Sequence, residues 1–227
     1  MRIITGKYKG RHFDIPRSFK ARPTTDFAKE NIFNVLTGYI DFEGATALDL
    51  FSGTGSISLE LTSRGCAQVF SVEADRDHHR FILECLQKLS NPPVTALRGD
   101  VFRFIKSCKM QFDFIFADPP YALKELPTIP SLIFEKNLLK PEGVFVFEHG
   151  KDQDFSTHPN FVEHRSYGSV NFSIFQPFIK GDIILTIDSH NRFKNFGCMR
   201  SGLSCNLTDC RSSARNMSRS ILAVDSP

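Results

Sequence analysis

The chain has 227 residues, 41% of them hydrophobic, which supports a buried core and excludes global disorder. No run of about 18 apolar residues occurs, so a membrane-spanning helix is excluded, and the formal net charge of +3 names no partner. The charge is unevenly placed, however. Residues 1–40 carry 8 Lys/Arg against 3 Asp/Glu, residues 41–176 carry 13 against 18, and residues 177–227 carry 7 against 4. An acidic body between a basic arm and a basic tail points toward an anionic macromolecule. The polar start Met1-Arg2-Ile3-Ile4-Thr5-Gly6-Lys7 does not read as a secretory leader. The six cysteines include no Cys-x-x-Cys pair and read as free thiols of a cytosolic chain, with Cys66, Cys85 and Cys108 in helical patterns.

In chain order, Arg2–Thr5 and Arg11–Ile15 flank Gly6-Lys7-Tyr8-Lys9-Gly10 and predict a hairpin. Pro23 then bars a helix before it and Thr24 or Thr25 can cap one after it. Phe27, Ile32, Phe33, Leu36 and Ile40 supply its apolar spacing. From residue 45 the pattern alternates. Strands are expected at 45–51, 69–72, 94–97, 112–117 and 144–147, with helices at about 56–64, 76–89, 101–106 and 131–137. Two further runs, 161–165 and 169–176, surround Tyr167-Gly168 as a closing antiparallel hairpin. Short apolar strands separated by helices predict a doubly wound α/β domain over 41–176, with residues 1–40 as an N-terminal extension. Residues 178–187 read as one more strand. Beyond residue 190 the Ser- and Arg-rich composition, without sustained period, predicts a largely disordered tail. His190, Cys198, Cys205 and Cys210 match no usual zinc spacing, and no metal is expected.

Chemistry concentrates where predicted strands end. The first runs into Asp49-Leu50-Phe51-Ser52-Gly53-Thr54-Gly55, just before a helix, where glycines allow a ligand to approach the backbone. Position 58 is Ser rather than the third Gly of a dinucleotide fingerprint, and no Gly-Lys-Ser/Thr is present for a P-loop. An acid in such a loop favours a cationic ligand, and a sulfonium-bearing cofactor with an ammonium group fits. Glu73-Ala74 ends the second strand, placing an acid where both hydroxyls of a ribose could donate to it. Asp100-Val101 follows the third, as acceptor for an adenine amine beside an apolar wall, or as a helix cap, or both. Asp118-Pro119-Pro120-Tyr121 follows the fourth. The two prolines lack N–H donors and fix a rigid turn, so the turn offers the Asp118 carboxylate and the Pro119 carbonyl as acceptors for an exocyclic NH2. Tyr121 adds a ring on which a base can stack.

In this order, these motifs resemble those of Rossmann-like S-adenosylmethionine-dependent methyltransferases that act on exocyclic amines. Arg2-Ile3-Ile4, Lys9-Gly10-Arg11, Arg22-Pro23-Thr24-Thr25-Asp26 and Phe33-Asn34-x-Leu36 narrow the resemblance, over residues 1–176, to the RsmD family of 16S rRNA guanine-N2 methyltransferases. The resemblance implies a seven-stranded sheet, Gly53, Gly55 and Glu73 on S-adenosylmethionine, Asp118–Tyr121 on a flipped guanine, and Arg22, Thr24 and Thr25 near the cofactor and the RNA. It also implies 16S rRNA or an assembling small subunit as partner, without a membrane, for a monomeric cytoplasmic enzyme. Lys7, Lys9, Arg11, Arg17, Lys20 and Arg22 would hold phosphates, with binding that weakens steeply with salt. Residues 177–227 have no counterpart in the resemblance. The competing readings are a DNA adenine-N6 or cytosine-N4 methyltransferase, for which the span 121–144 leaves little room for target recognition, and a non-catalytic ribosome-assembly factor.

Overall fold

A computed structural model describes residues 1–19 and 25–177, so Lys20, Arg22, Thr24, the 178–187 strand and the tail cysteines lie outside the described residues. Seven strands, β1 (Thr46–Leu50), β2 (Gln68–Glu73), β3 (Val94–Arg98), β4 (Phe112–Ala117), β5 (Leu139–His149), β6 (Phe161–Tyr167) and β7 (Val170–Phe175), form one sheet in the order β3-β2-β1-β4-β5-β7-β6. The first five are parallel, whereas β7 is antiparallel to both β5 and β6. This is the doubly wound sheet with a closing hairpin that the pattern predicts.

Helices α1 (Asp26–Leu36), α2 (Ser56–Ser63), α3 (Arg76–Lys88), α4 (Val101–Ser107) and α5 (Ile129–Glu135) cover the sheet. Strand alternation divides the core in two. Phe114, Phe116, Val144 and Val146 face α1 and α2, while Ile115, Ala117, Phe145 and Phe147 face α4 and α5. Truncating one fully buried phenylalanine, such as Phe33 on α1, would cost about 3–5 kcal/mol. Helix α1 starts at Thr25, whose Oγ1 accepts from the Ala28 N–H at 3.2 Å, and its buried stripe is Ala28, Ile32, Phe33 and Leu36. Phe27, expected on that stripe, is instead 65% exposed, because Ala28 takes the inward position.

The two runs of the predicted N-terminal hairpin pair antiparallel around Arg2 and His12, with Ile3 donating to the Arg11 carbonyl at 3.0 Å, Gly10 to that of Ile3 at 2.9 Å and Phe13 to that of Met1 at 2.9 Å. Ile3 and Phe13 carry the hairpin into a third cluster with Leu59 of α2 and Phe81, Ile82 and Leu86 of α3. Two boundaries differ from expectation. Helix α5 begins at Ile129, because Pro130 falls in the first turn, where the missing N–H costs nothing. Strand β5 begins at Leu139 rather than at residue 144 and runs through Pro141 and Gly143, with a register shift opposite Phe112/Phe114. Of the three described cysteines, all free, only Cys85 is helical. Cys66 precedes β2 and Cys108 ends α4.

Candidate active site

Strands β1 and β4 lie side by side, Leu50 opposite Ala117, with β2 and β3 to one side and β5 to the other. The strand order reverses here, and the crevice outside the carboxyl ends of these strands is where such sheets take ligands. Three of the predicted motifs converge on it.

The β1–α2 loop is wound tightly. Phe51, Gly53 and Gly55 all hold left-handed backbone, at φ 58°, 53° and 75°. Gly55 donates to the Ser52 carbonyl at 2.7 Å, and Ser52 donates from its N–H to the Val72 carbonyl at 3.1 Å and from Oγ to that of Asp49 at 2.8 Å. A Cβ on Gly55 would stand 2.9 Å from Ile82 Cγ1, so that glycine is required for packing. One on Gly53 would meet only the Phe51 carbonyl at 3.9 Å, leaving its surface open to a ligand.

Asp49 is buried beneath the loop. Its Oδ2 accepts from both the N–H and the Oγ of Ser58, the N–H bond measuring 3.0 Å. Since Gly55 has no side chain to cap α2, Asp49 caps it from the neighbouring strand, and Ser58, where a dinucleotide site would have glycine, supplies the partner. Burial pushes the Asp49 carboxyl up to about 7 against the opposing Ser58 hydrogen bonds. Its observed partner is therefore the helix, and its charge acts on the crevice from below.

Glu73 ends β2 and is held by backbone on both oxygens. Oε2 accepts from the Gly53 N–H at 2.7 Å and Oε1 from the Asp75 N–H at 2.8 Å. A carboxylate has about four lone-pair sites, so two remain for outside donors. Ala74 beside it is exposed. Asp100 caps α4, accepting from the Arg103 N–H at 2.9 Å, and is exposed, whereas Val101 is buried behind it.

In the turn after β4, Leu123 donates to the Pro120 carbonyl at 2.9 Å, but among the described residues no donor reaches the Asp118 carboxylate or the Pro119 carbonyl. Among the described residues, then, two acceptors stand together without a donor beyond the end of β4. Burial, then the nearby Glu148 and Asp49 carboxylates, raise the Asp118 carboxyl well above the usual range. Tyr121 is half exposed and donates its hydroxyl to Glu148 Oε1 at 3.1 Å. Burial and that carboxylate raise its phenol.

The structure also shows groups that the motifs do not announce. Glu148 is the penultimate residue of β5, much as Glu73 ends β2 and Asp118 follows β4, so an acid near the end of an apolar strand is the available signal. Next to it, His149 is buried and neutral. Its Nδ1–H donates to the Gly150 carbonyl at 2.9 Å and its Nε2 accepts from Ser173 Oγ at 2.8 Å, while burial lowers its pKa.

A second group ties the arm to the loop. The buried Lys29 ammonium donates to the Arg2 carbonyl at 2.6 Å and to Ser56 Oγ at 3.0 Å, and lies 3.9 Å from Glu60 Oε2. Glu60, also buried, accepts from the N–H groups of Ile4 and Thr5 and from Arg64 Nε. Thr25 caps α1 one turn before Lys29, and Arg2 therefore sits beside the start of α2. Lys7, Lys9 and Arg11 do not. The N–H groups of Lys7 and Tyr8 donate to Ser63 at the far end of α2, about 12 Å along that helix, and Arg11 donates to the Lys88 carbonyl at the far end of α3.

The family described as Conserved hypothetical protein 95 matches residues 1–176. The chain belongs to it. This is the RsmD family that the motifs resemble. The ribosomal RNA small subunit methyltransferase D of Haemophilus influenzae is 32% identical over 182 residues, covering 78% of this chain and 93% of its own. Among solved structures, an Escherichia coli chain named as a candidate methyltransferase, yhhF, matches with a TM-score of 0.68 at 26% identity, across 78% of this chain and 97% of its own. A hypothetical protein of Thermus thermophilus matches with a TM-score of 0.69 at 26% identity, across 78% and 99%. Within the matched span, Gly53, Glu73, Asp118, Pro119 and Tyr121 lie at or just beyond the carboxyl ends of β1, β2 and β4, with Asp49 beneath the glycine loop and Glu148 bonded to Tyr121.

Proposed function

We propose that the chain transfers a methyl group from S-adenosylmethionine to the exocyclic N2 amine of a guanine in 16S ribosomal RNA. The observation that carries this reading is the pair of acceptors, Asp118 and Pro119, which no donor reaches among the described residues, at the switch point beside the glycine loop of an RsmD-family chain. The residues present suit the cofactor. Gly53 leaves the loop open, Glu73 keeps two lone-pair sites for ribose hydroxyls, and the acids around the crevice suit a cation. When bound, the cofactor supplies an electrophilic methyl on sulfur.

The protein supplies placement. The Asp118 carboxylate and Pro119 carbonyl accept the two amine hydrogens and aim the nitrogen lone pair, which the purine ring otherwise delocalises. In its ionised form, which a cation in the crevice would favour against the burial and neighbouring carboxylates that raise it, Asp118 stabilises the positive charge that develops on nitrogen, and Asp118 or water takes the departing proton. Tyr121 offers its exposed ring to a base flipped from its helix. Only a 3-10 turn, Leu126–Thr128, and the seven-residue α5 separate β4 from β5, which leaves no target-recognition segment of the kind a DNA enzyme carries.

The test is to supply tritiated cofactor separately with 16S RNA, small subunits and duplex DNA. Label is expected in RNA or subunits, on guanine N2, and Asp118→Ala should abolish it while the cofactor still binds. Label confined to DNA, or normal transfer by Asp118→Ala, would overturn the assignment.

A further inference from the structure

Beyond the crevice, the carboxyl edge of the sheet carries a second aromatic surface. Phe27 lies in the first turn of α1, 65% exposed, and its ring meets Tyr167 edge to face, centroids 6.4 Å apart at 87°. Strand pairing fixes where Tyr167 is. His149, at the carboxyl end of β5, pairs with Asn171 of β7, and Tyr167 of β6 pairs with Val170, so the β6–β7 turn shares the edge of the Asp118 turn. The face is the same too. Val144 and Val146 point to the α1 side, so two-residue alternation puts Glu148 there, holding Tyr121. Glu148 pairs with Phe172, and the Phe172 ring is 6.2 Å from that of Tyr167. From Glu148 to Tyr167 is two strand spacings across and two residues along, about 12 Å. The half-exposed guanidinium of Arg2 reaches the same first turn of α1, with Nε 3.4 Å from Asp26, the residue before Phe27. Two exposed ring surfaces on one face, a cation at the turn that carries the outer one, and a catalytic turn beside the inner one match how proteins hold single-stranded nucleic acid.

We infer that Phe27, backed by Tyr167, is a stacking subsite for an unpaired base flanking the target nucleotide, with Arg2 on its phosphate. This rests on the RNA-methyltransferase reading and extends it. Tyr121 receives the base that is modified, and Phe27 holds its neighbour and so favours an unpaired segment over a duplex.

The chain lacks tryptophan, so Phe27→Trp introduces one fluorophore into the full-length protein. Unstructured RNA should quench its emission, while duplex RNA of equal length should quench it less. Phe27→Ala should raise the KM for 16S RNA about 5- to 100-fold, the range one stacked base supplies, with kcat and cofactor affinity kept, and Phe27→Tyr should restore it. Emission unmoved by RNA, or an unchanged KM in Phe27→Ala, overturns the subsite. The two readings fail separately. Quenching by RNA without methyl transfer by the native chain keeps the binding surface and removes the activity, whereas transfer without quenching keeps the activity and removes the subsite.

Discussion

Replacing Lys29 by methionine tests how the N-terminal arm is joined to the glycine loop. Methionine keeps an unbranched stem and removes only the ammonium. Lost with it are the hydrogen bonds to the Arg2 carbonyl and Ser56 Oγ and the attraction to Glu60, all in a site where both side chains are at most 1% exposed. Burial lowers the lysine pKa and Glu60 opposes that, so the ammonium is held by its partners rather than by water. Breaking a buried pair from one side costs about 3–5 kcal/mol. Glu60 keeps Arg64 at 2.9 Å and two backbone N–H donors, so the lower end applies, about 3 kcal/mol. For a domain of this size that is a fall in Tm of roughly 6–12 °C. Urea unfolding at neutral pH measures it, and Glu60→Gln in the Lys29→Met background should cost less than it does alone, because the two act together. A Lys29→Met protein within about 0.5 kcal/mol of the native chain would refute the idea that this network fastens the arm.

Two further outcomes follow from the loop itself. Asp49 holds its proton up to about 7 when folded but gives it up near 3.8 when unfolded. Between those values the folded chain binds the extra proton, so stability should fall as pH rises from about 4 to about 7, by at most about 4 kcal/mol. Asp49→Asn should flatten that slope in urea midpoints taken across the range, and an equal slope in both proteins would remove Asp49 as its source. Gly55→Ala forces a side chain onto φ 75° and against Ile82, so it should lose at least about 1–2 kcal/mol and weaken cofactor binding, as read by thermal unfolding and calorimetry. Unaltered stability would show that the loop relaxes freely.

The fold was legible because its signals are local. Each parallel strand is a short apolar run, and each of β1, β2 and β4 ends in a polar motif, so counting runs places Asp49, Glu73 and Asp118 at one edge without knowing the strand order. What the sequence hid depends on partners distant in the chain. Asp49 reads as a ligand-facing acid until Ser58 is seen to receive it. Lys29 and Glu60 carry no motif in the sequence, and their role depends on Arg2, Ile4 and Thr5, which the N-terminal arm brings over them. Phe27 was counted as core because helical spacing tolerates it, and only the choice of Ala28 as the inward residue turns it out.

The charge asymmetry acquires a different meaning from this placement. A basic arm suggests a handle beside the active site, yet Lys7, Lys9 and Arg11 are carried to the far ends of α2 and α3. What the arm delivers to the crevice is Met1, Arg2 and the start of α1, with the Thr54 hydroxyl 3.5 Å from Met1 Sδ and Lys29 on Ser56. RNA that reached all of these groups would have to pass from the carboxyl edge down the outer side of α2 and α3. The distal lysines would then set overall affinity and its salt dependence, while Phe27, Tyr121 and the paired acceptors decide which base is held. Neutralising Lys7 and Lys9 together should therefore weaken binding to all RNAs alike and flatten the salt slope, with the same nucleotide methylated. A change of methylated nucleotide in that variant would put the recognition at the hairpin instead.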